Sequence, residues 1–241
     1  MKKVSYLIAA ALVSFSMVSC EKEQHAENLK VQYYADFDLT GGAEYIVPIG
    51  TSWVEPGFKA TVRGVDVTSQ IVVEDDVDDT ALGAYSVKYT YTTEDGFTNS
   101  VVRTVYVCNP AVTADLTGTY TTIDGTYRDD LEGGIKAYPG YKVKMKKICP
   151  GFFSIDDMLA QFYSEFYGYG AAYPGYDFDA DGNLSLNPDN TIDFVSGGDV
   201  EAFGESVTAF TNGLYDPATE TVSFVVTWGE MEFHVVMKKD K

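Results

Sequence analysis

Apolar and polar residues alternate in short segments along most of the chain, and glycine, proline or aspartate separates these segments. Residues 84–92 (AYSVKYTYT) and 100–107 (SVVRTVYV) alternate clearly and flank an Asp-Gly turn at residues 95–96. Short alternating segments with turn residues every 8–12 positions or so are typical of antiparallel β-structure. The pattern therefore predicts a mainly β protein that begins with a β-sandwich.

Alternation resumes in the second half, after a short boundary at Asn109-Pro110. Residues 221–227 (TVSFVVT) and 231–238 (MEFHVVMK) predict a final hairpin. Between them and the boundary, apolar residues from position 155 to 166 fall at helical spacing, with Ser154 and Asp157 as a capping box. The second half is predicted to be another antiparallel β domain with one short helix.

The first twenty residues carry a targeting pattern. Two lysines precede an apolar stretch at residues 6–18, which is too short for a membrane-spanning helix and is typical of a signal peptide. A small residue directly before Cys20 resembles the lipobox of bacterial lipoproteins, in the loose form common in Bacteroidetes. The resemblance implies a lipoprotein signal at residues 1–20, acylation of Cys20 and a lipid anchor in the membrane. The alternative is an ordinary cleaved signal peptide with an incidental cysteine.

Residues 21–39 are predicted to form a tether and a first strand region. Glu21 and Glu23 follow the cysteine directly, and this acidic start resembles the surface-export signal of Bacteroidetes lipoproteins. The resemblance implies an outer-membrane lipoprotein that faces the cell exterior.

Residues 40–108 carry a series of short motifs. The series reads GTSWVEPG at 50–57, GVDVT at 64–68, VDDT at 77–80, GAYSVKY at 83–89, DG at 95–96 and RTV at 103–105. It resembles bacterial immunoglobulin-like domains, from which it departs by the insertion of Asp79. The resemblance implies an Ig-like β-sandwich that serves as a spacer or presents a neighbouring domain.

Residues 113–239 show a second resemblance. LTGTY at 116–120, and YDPAT at 215–219 before a tryptophan-containing hairpin, resemble the C-terminal domain of two-domain Bacteroidetes surface lipoproteins of unknown function. Such proteins are often encoded beside SusC/SusD-type glycan-import systems. The resemblance implies a barrel-like or calycin-like sheet without a known catalytic residue, and partners such as a polysaccharide or a SusC/SusD-type outer-membrane complex.

Charge excludes some partners. The chain has 36 acidic and 17 basic residues and a formal net charge of −19, so binding to nucleic acid or anionic lipid through charge is not expected. Cys108 and Cys149 are the thiols that remain if Cys20 is acylated. In an oxidising compartment they could pair or stay as two separately buried thiols, and the sequence leaves both open.

Tyrosines concentrate in one glycine-rich stretch. Tyr167, Tyr169, Tyr173 and Tyr176 lie among glycines, and aromatic rings on loops can stack against sugar rings. These four are therefore predicted to bind a ligand. The alternative is that they pack around the glycine-rich bend.

The next residues resemble half of a calcium loop. Asp177, Asp179 and Asp181 occupy ligand positions 1, 3 and 5, with Gly182 at position 6. Pro188 stands where the loop requires a bidentate glutamate, and a plain turn rich in aspartate and glycine explains the same residues. Calcium is the one cofactor that the sequence suggests.

Catalysis is not predicted. The adjacent carboxylates Asp156/Asp157 and Asp129/Asp130/Glu132 arise easily by chance in so acidic a chain, and His234 lies in a predicted strand. The sequence therefore predicts a cell-surface, lipid-anchored binding module, not an enzyme, that assists polysaccharide capture or uptake. The alternative is a structural or adhesin-like module that binds a protein and no glycan.

Overall fold

The computed structural model describes residues 31–130 and 133–241. The predicted signal peptide, Cys20, Glu21, Glu23 and Glu132 lie outside the described residues. Across the described ranges, no helix has the length and apolar character needed to cross a membrane.

The N-terminal part folds into two facing sheets. The first contains β1 (Asp36–Leu39), β3 (Phe58–Val62) and β4 (Val65–Asp66); the second has the order β2 (Glu44–Pro48), β7 (Thr98–Cys108), β6 (Gly83–Thr92) and β5 (Val72–Asp75). β2 runs parallel to β7, and the remaining pairs are antiparallel. A 3₁₀ turn covers Thr68–Gln70. Alternation in β6 buries Val87, Tyr89 and Tyr91 on one face, as predicted.

A buried arginine holds the two sheets together. Arg103 in β7 is fully buried; its Nε donates to the Tyr89 hydroxyl at 3.1 Å and its Nη1 to the Thr40 carbonyl at 2.8 Å. Nη2 donates to Glu55 Oε1 at 3.2 Å and to the Gly57 carbonyl at 3.1 Å. The EPG and RTV motifs, far apart in the sequence, therefore meet at one buried ion pair.

The C-terminal part forms one large antiparallel sheet that nearly closes into a barrel. Its strands are β8 (Gly118–Thr122), β9 (Tyr127–Asp130), β10 (Gly134–Ala137), β11 (Lys142–Cys149), β12 (Phe152–Ile155), β13 (Gly182–Leu186), β14 (Ile192–Gly197), β15 (Asp199–Val200), β16 (Glu205–Asp216), β17 (Thr221–Trp228) and β18 (Met231–Lys239). The path runs β14-β13-β12-β11-β8-β18-β17-β16-β15, and a bridge from Thr191 to Leu214 brings its ends together. The mainly β class, the Ig-like first part and the barrel-like second part are confirmed.

The barrel interior is rich in aromatic residues. Phe162 lies at its centre and meets the rings of Tyr138 at 4.9 Å, Phe233 at 5.2 Å and Tyr163 at 5.1 Å, all edge to face. Each of these rings is buried. Such contacts add to the stability that burial of the rings already provides.

The predicted helix beginning at Ser154 is wrong. Ser154 lies in β12, and its hydroxyl donates to the carbonyl of Lys146 on β11. Ala160 and Gln161 adopt left-handed backbone angles (φ 53° and 66°), which stop a helix from running through this stretch. One π-helical turn, Phe162–Phe166, and the short helix α1 (Tyr169–Ala172) follow instead.

Cys108 and Cys149 form a disulfide, which settles the question that the sequence left open. The bond joins the end of β7 to the end of β11, and the buried ring of Phe152 packs beside it. The backbone N–H of Asn109 donates to the carbonyl of Pro150 at 2.9 Å. The strand that leaves the Ig-like part is thus fixed to the C-terminal sheet by one covalent and one hydrogen bond.

Candidate binding site

An open pocket lies on the outside of the C-terminal part, where α1 and the following loop meet the turn after β15. Its lining consists of Tyr169, Tyr173, Tyr176, Phe178, Ala202 and Phe203, and its volume is about 370 Å³. The N–H of Ala202 donates to the carbonyl of Asp177 at 2.8 Å and ties the two walls together. Five of the six lining side chains are aromatic, and none carries a charge.

The rings surround the nearly buried side chain of Phe178. Ring centroids of Tyr169 and Phe203 each lie 5.5 Å from that of Phe178, and Tyr173 lies at 6.2 Å. The planes of Tyr169 and Tyr173 meet at 80°. The pocket therefore has a floor, Phe178, with tilted walls, and it differs from a flat row of coplanar rings.

Several of these rings are exposed. Tyr176 keeps 66% of its surface accessible, Tyr173 54% and Phe203 38%, whereas Tyr169 is partly buried against the barrel core. Left-handed angles at Gly168 (φ 73°) and Gly175 (φ 100°) bend the chain and leave the tyrosines outside the core. An exposed aromatic cluster on a surface loop is a common feature of binding sites.

A buried acidic side chain, Asp157, holds the loop that carries Phe178. Asp157 Oδ1 accepts the N–H groups of Leu159 at 2.8 Å and Ala180 at 2.9 Å, and Oδ2 accepts the N–H of Gln161 at 2.6 Å. These bonds connect the turn before the π-helical segment to the irregular segment that carries Phe178, the floor of the pocket. Burial raises the pKa of Asp157 to about 7, and the nearby carboxylate of Asp179 adds to the rise.

The raised pKa of Asp157 predicts a pH-dependent stability. The folded state keeps its proton up to about pH 7, whereas the unfolded chain loses it near pH 4. Between these values the unfolded state binds fewer protons, so the free energy of unfolding falls as pH rises. We expect wild type to lose stability relative to Asp157→Asn from pH 4 to pH 7, in urea unfolding at each pH. A difference that stays constant or grows would contradict the shift.

Comparison with known proteins shows the family to which the chain belongs. A C-terminal-domain family model matches residues 109–239, and a model described as a bacterial surface protein, Ig-like domain, matches residues 37–107. The lipoprotein BT2262 from Bacteroides thetaiotaomicron is 32% identical, over 86% of this chain and 100% of that one, with a TM-score of 0.47. The chain belongs to the BT2262 family. Sequence identity over the full length of BT2262 supports this assignment.

Other matches lie far from the BT2262 family. A Clostridium perfringens ZmpB structure of CBM51-2 in complex with GlcNAc and INT domains is 11% identical, covering 86% of this chain and 44% of that one, with a TM-score of 0.26. A ZmpB structure of the M60 catalytic domain with CBM51-1 and CBM51-2 is 12% identical, covering 86% and 21%, with a TM-score of 0.28. Neither likeness is close enough to inform function. None of the curated proteins compared with the chain matches it.

The structure brings three of the four predicted tyrosines into the pocket of this BT2262-family protein. Tyr167 is the exception: it lies beside the pocket, stacked on Tyr169 with ring centroids 5.6 Å apart. Sequence reasoning missed Phe178 and Phe203. Phe178 stands inside the aspartate-rich stretch that resembles a calcium loop, and Phe203 reaches the pocket only through the fold.

The three aspartates of the calcium hypothesis lie along an exposed turn and the segment behind it. Asp177 Oδ1 accepts the N–H of Asp179 at 3.0 Å, the local bond expected of a plain turn. In the part of the chain that the structure describes, no group of three or more His, Cys, Asp or Glu side chains is placed to hold a metal ion. Asp177, Asp179 and Asp181 therefore gain no support as ligands from this geometry.

The other titratable candidates have structural partners. His234 stacks on Tyr127 with ring centroids 4.3 Å apart, and its Nε2 lies 3.3 Å from Glu232. Asp130 forms an ion pair with Arg128 at 3.3 Å. Asp156 Oδ1 accepts the N–H of Lys144, and burial raises the Asp156 pKa. Each group takes part in contacts within the sheet or at its edge.

Proposed function

We propose that this protein is a lipid-anchored cell-surface module that binds polysaccharide in the aromatic pocket and assists its capture or uptake. The observation that carries the proposal is the exposure of Tyr173 and Tyr176 around a nearly buried Phe178. Exposed tyrosine rings contribute little to folding, and their faces are available for a sugar ring to stack on. Their hydroxyl groups can donate to and accept from sugar hydroxyls.

Two polar atoms near the pocket add to this argument. The indole Nε1 of Trp228 and Oδ1 of Asp179 are buried and have no hydrogen-bond partner among the described residues. Trp228 packs on Phe203 at 5.4 Å, and Asp179 follows Phe178 directly. An unsatisfied buried polar atom costs about 1–3 kcal/mol, so its retention calls for an explanation. A hydroxyl-rich ligand that enters on displacement of Phe203 would supply a partner for the indole Nε1 of Trp228, whereas the carboxylate of Asp179 lies near Asp157.

The anchor is proposed to be Cys20. The related BT2262 is described as a lipoprotein, and the lipobox-like pattern at Cys20 fits the same attachment. Acylation at this cysteine would place the Ig-like part between the membrane and the pocket. The two parts would then act as spacer and binding domain, within reach of a SusC/SusD-type complex.

The anchor makes a direct prediction. Cys20→Ala should move the protein from the membrane to the soluble fraction and abolish incorporation of a labelled fatty acid, because thioether acylation requires the thiol. Fractionation of cells expressing wild type or the variant measures this. Phe97→Ala, which removes an exposed ring and leaves all three cysteines in place, serves as the control and should keep the label. A Cys20→Ala protein that stays in the membrane would contradict the anchor.

Binding is tested by affinity electrophoresis in gels that contain soluble starch, galactomannan, xylan, barley β-glucan or chitosan. We expect Tyr173→Ala and Tyr176→Ala each to weaken retardation roughly tenfold to a hundredfold, from about 1–3 kcal/mol of stacking per ring. Both variants should stay folded, because both rings are exposed. Phe97→Ala removes a ring that is 51% exposed at the turn between β6 and β7 and should bind as wild type does.

Several outcomes would overturn the proposal. Loss of folding in Tyr173→Ala and Tyr176→Ala would show that these rings are structural. Retardation by none of the five polysaccharides would favour the structural or adhesin-like alternative. We also propose binding without catalysis, so release of reducing ends from any of these glycans by the pure protein would contradict that part.

A further inference from the structure

The pocket lies in a stretch of chain without basic residues. From position 148 to position 237 there is no lysine or arginine, whereas nine aspartates and six glutamates make fifteen acidic residues. Asp177 and Glu201 directly adjoin the lining residues Phe178 and Ala202. Two carboxylates, of Asp177 and Glu201, therefore flank the uncharged aromatic pocket along the chain, and carboxylates attract cations and repel anions.

An ammonium group of the protein already lies on the neighbouring rings. Lys136 Nζ is 4.7 Å from the ring centroid of Tyr167 and 5.6 Å from that of Phe166, and it donates to the Tyr167 hydroxyl at 3.1 Å. Tyr167 in turn stacks on Tyr169, which lines the pocket. One side of this aromatic cluster thus binds a cation within the protein itself, through the attraction of a ring face for positive charge.

The shape of the pocket favours a compact group. Tyr169 stands at 62° to Phe178 and Phe203 at 64°, so the rings of the open pocket are inclined to one another. A flat platform of coplanar rings would suit a long run of sugar units. Several inclined aromatic faces around one small volume are the arrangement that binds ammonium groups.

From these three observations, and resting on the proposed function of the pocket, we propose that its preferred occupant is an ammonium-bearing sugar unit, a glycan residue with a free amine. The sugar ring stacks on an exposed tyrosine and the ammonium group faces the remaining rings. A neutral sugar makes only the first contact. A uronate or sulfated sugar is repelled by the surrounding carboxylates.

The test uses three hexasaccharides that differ at one substituent. The β-1,4-glucosamine hexamer carries an ammonium group at C2, its fully N-acetylated form carries a neutral amide, and cellohexaose carries a hydroxyl. Isothermal titration at pH 6 should give roughly tenfold tighter binding for the amine than for either neutral sugar, from a partly desolvated cation–π contact. A galacturonate hexamer should not bind.

Non-specific attraction to an acidic protein is the main alternative, and two controls address it. Tyr176→Ala should lose most of the preference for the amine, whereas Phe97→Ala should keep it, because both variants have the charge of the wild type. The preference should persist at 0.5 M NaCl, where the attraction of distant charges is largely screened. Equal binding of the amine by wild type and Tyr176→Ala would overturn the inference.

Failure of this inference can be told apart from failure of the proposed function. If the three hexamers bind equally and Tyr176→Ala weakens all of them, the pocket binds glycans and the ammonium preference is wrong. A second probe, tetramethylammonium, carries an ammonium group without a sugar. If it perturbs the pocket and no hexamer binds, the preference for an ammonium-bearing sugar is wrong, and polysaccharide capture loses its support as well. Tight, tyrosine-dependent binding of the amine alone is the expected result.

Discussion

Replacing Arg103 by alanine should lower the free energy of unfolding by about 3–5 kcal/mol, the usual cost of breaking a buried ion pair. The guanidinium is fully buried and makes four hydrogen bonds. Its removal leaves the carbonyl of Thr40 without its donor. It also takes one of two donors from Glu55 Oε1 and from the Gly57 carbonyl, which keep the N–H groups of Gly57 and Thr40. Glu55 already has one oxygen without a partner among the described residues.

Urea unfolding followed by the fluorescence of Trp53 measures the effect in the Ig-like part. Lys88→Ala is the control, because its ion pair with Glu74 is exposed, spans 3.9 Å and should contribute less than about 1 kcal/mol. Glu55→Gln in an Arg103→Met background should recover part of the loss by removing the unpaired charge. A loss below about 1 kcal/mol in Arg103→Ala would show that the buried pair contributes little.

Removing the disulfide should have an effect of similar size on the C-terminal part. Cys108 and Cys149 are 41 positions apart. Closing a loop of this length lowers the entropy of the unfolded chain, which raises the free energy of unfolding by about 4 kcal/mol at 25 °C. The Cys108→Ala/Cys149→Ala variant should therefore unfold at a lower urea concentration. The loss should appear mainly in the signal of Trp228, which lies in β17 of the C-terminal sheet.

The tryptophans make this prediction specific. The chain has two, Trp53 in the Ig-like part and Trp228 in the C-terminal part. Trp53→Phe and Trp228→Phe backgrounds let each part be followed separately. An unchanged Trp228 transition in the double-alanine variant would contradict a stabilising role for the bond.

The strands of the Ig-like part could be predicted because local alternation and global packing agree there. Tyr89 and Tyr91 are buried, whereas Lys88 and Thr92 are exposed and Thr90 is half-buried. The final hairpin followed the same rule, and β17 and β18 lie where the alternation placed them. Chain-local turn residues, such as the Asp-Gly pair at 95–96, further restrict where such strands can end.

The region around the pocket could be predicted only in part. Glycines between tyrosines indicate a bend that leaves rings exposed, and the rings of Tyr173 and Tyr176 are exposed in the structure. The helical spacing of apolar residues from Ile155 onward led to the wrong prediction of a helix, because the same spacing also suits a strand followed by a buried loop. Left-handed residues at 160 and 161, which no local signal marks, decided between the two.

Other pocket residues depend on long-range contacts. Phe203 lies 25 positions beyond Phe178 in the chain and meets it at 5.5 Å because β15 and β16 return to the same edge of the sheet. Asp157 looks like a helix cap in sequence but serves as an acceptor for three separate backbone N–H groups. Neither role can be derived from spacing alone.

The most direct test of the central claim, that the aromatic pocket binds glycan, is a nuclear magnetic resonance titration of protein with ¹³C-labelled tyrosine and phenylalanine rings. The ligands are maltohexaose, xylohexaose, mannohexaose, cellohexaose and the glucosamine hexamer. At least one should shift the ring signals of Tyr173, Tyr176, Phe178 and Phe203 while leaving Tyr45 and Phe97 unchanged. Shifts confined to rings outside the pocket, or no shift with any of the five sugars, would contradict the claim.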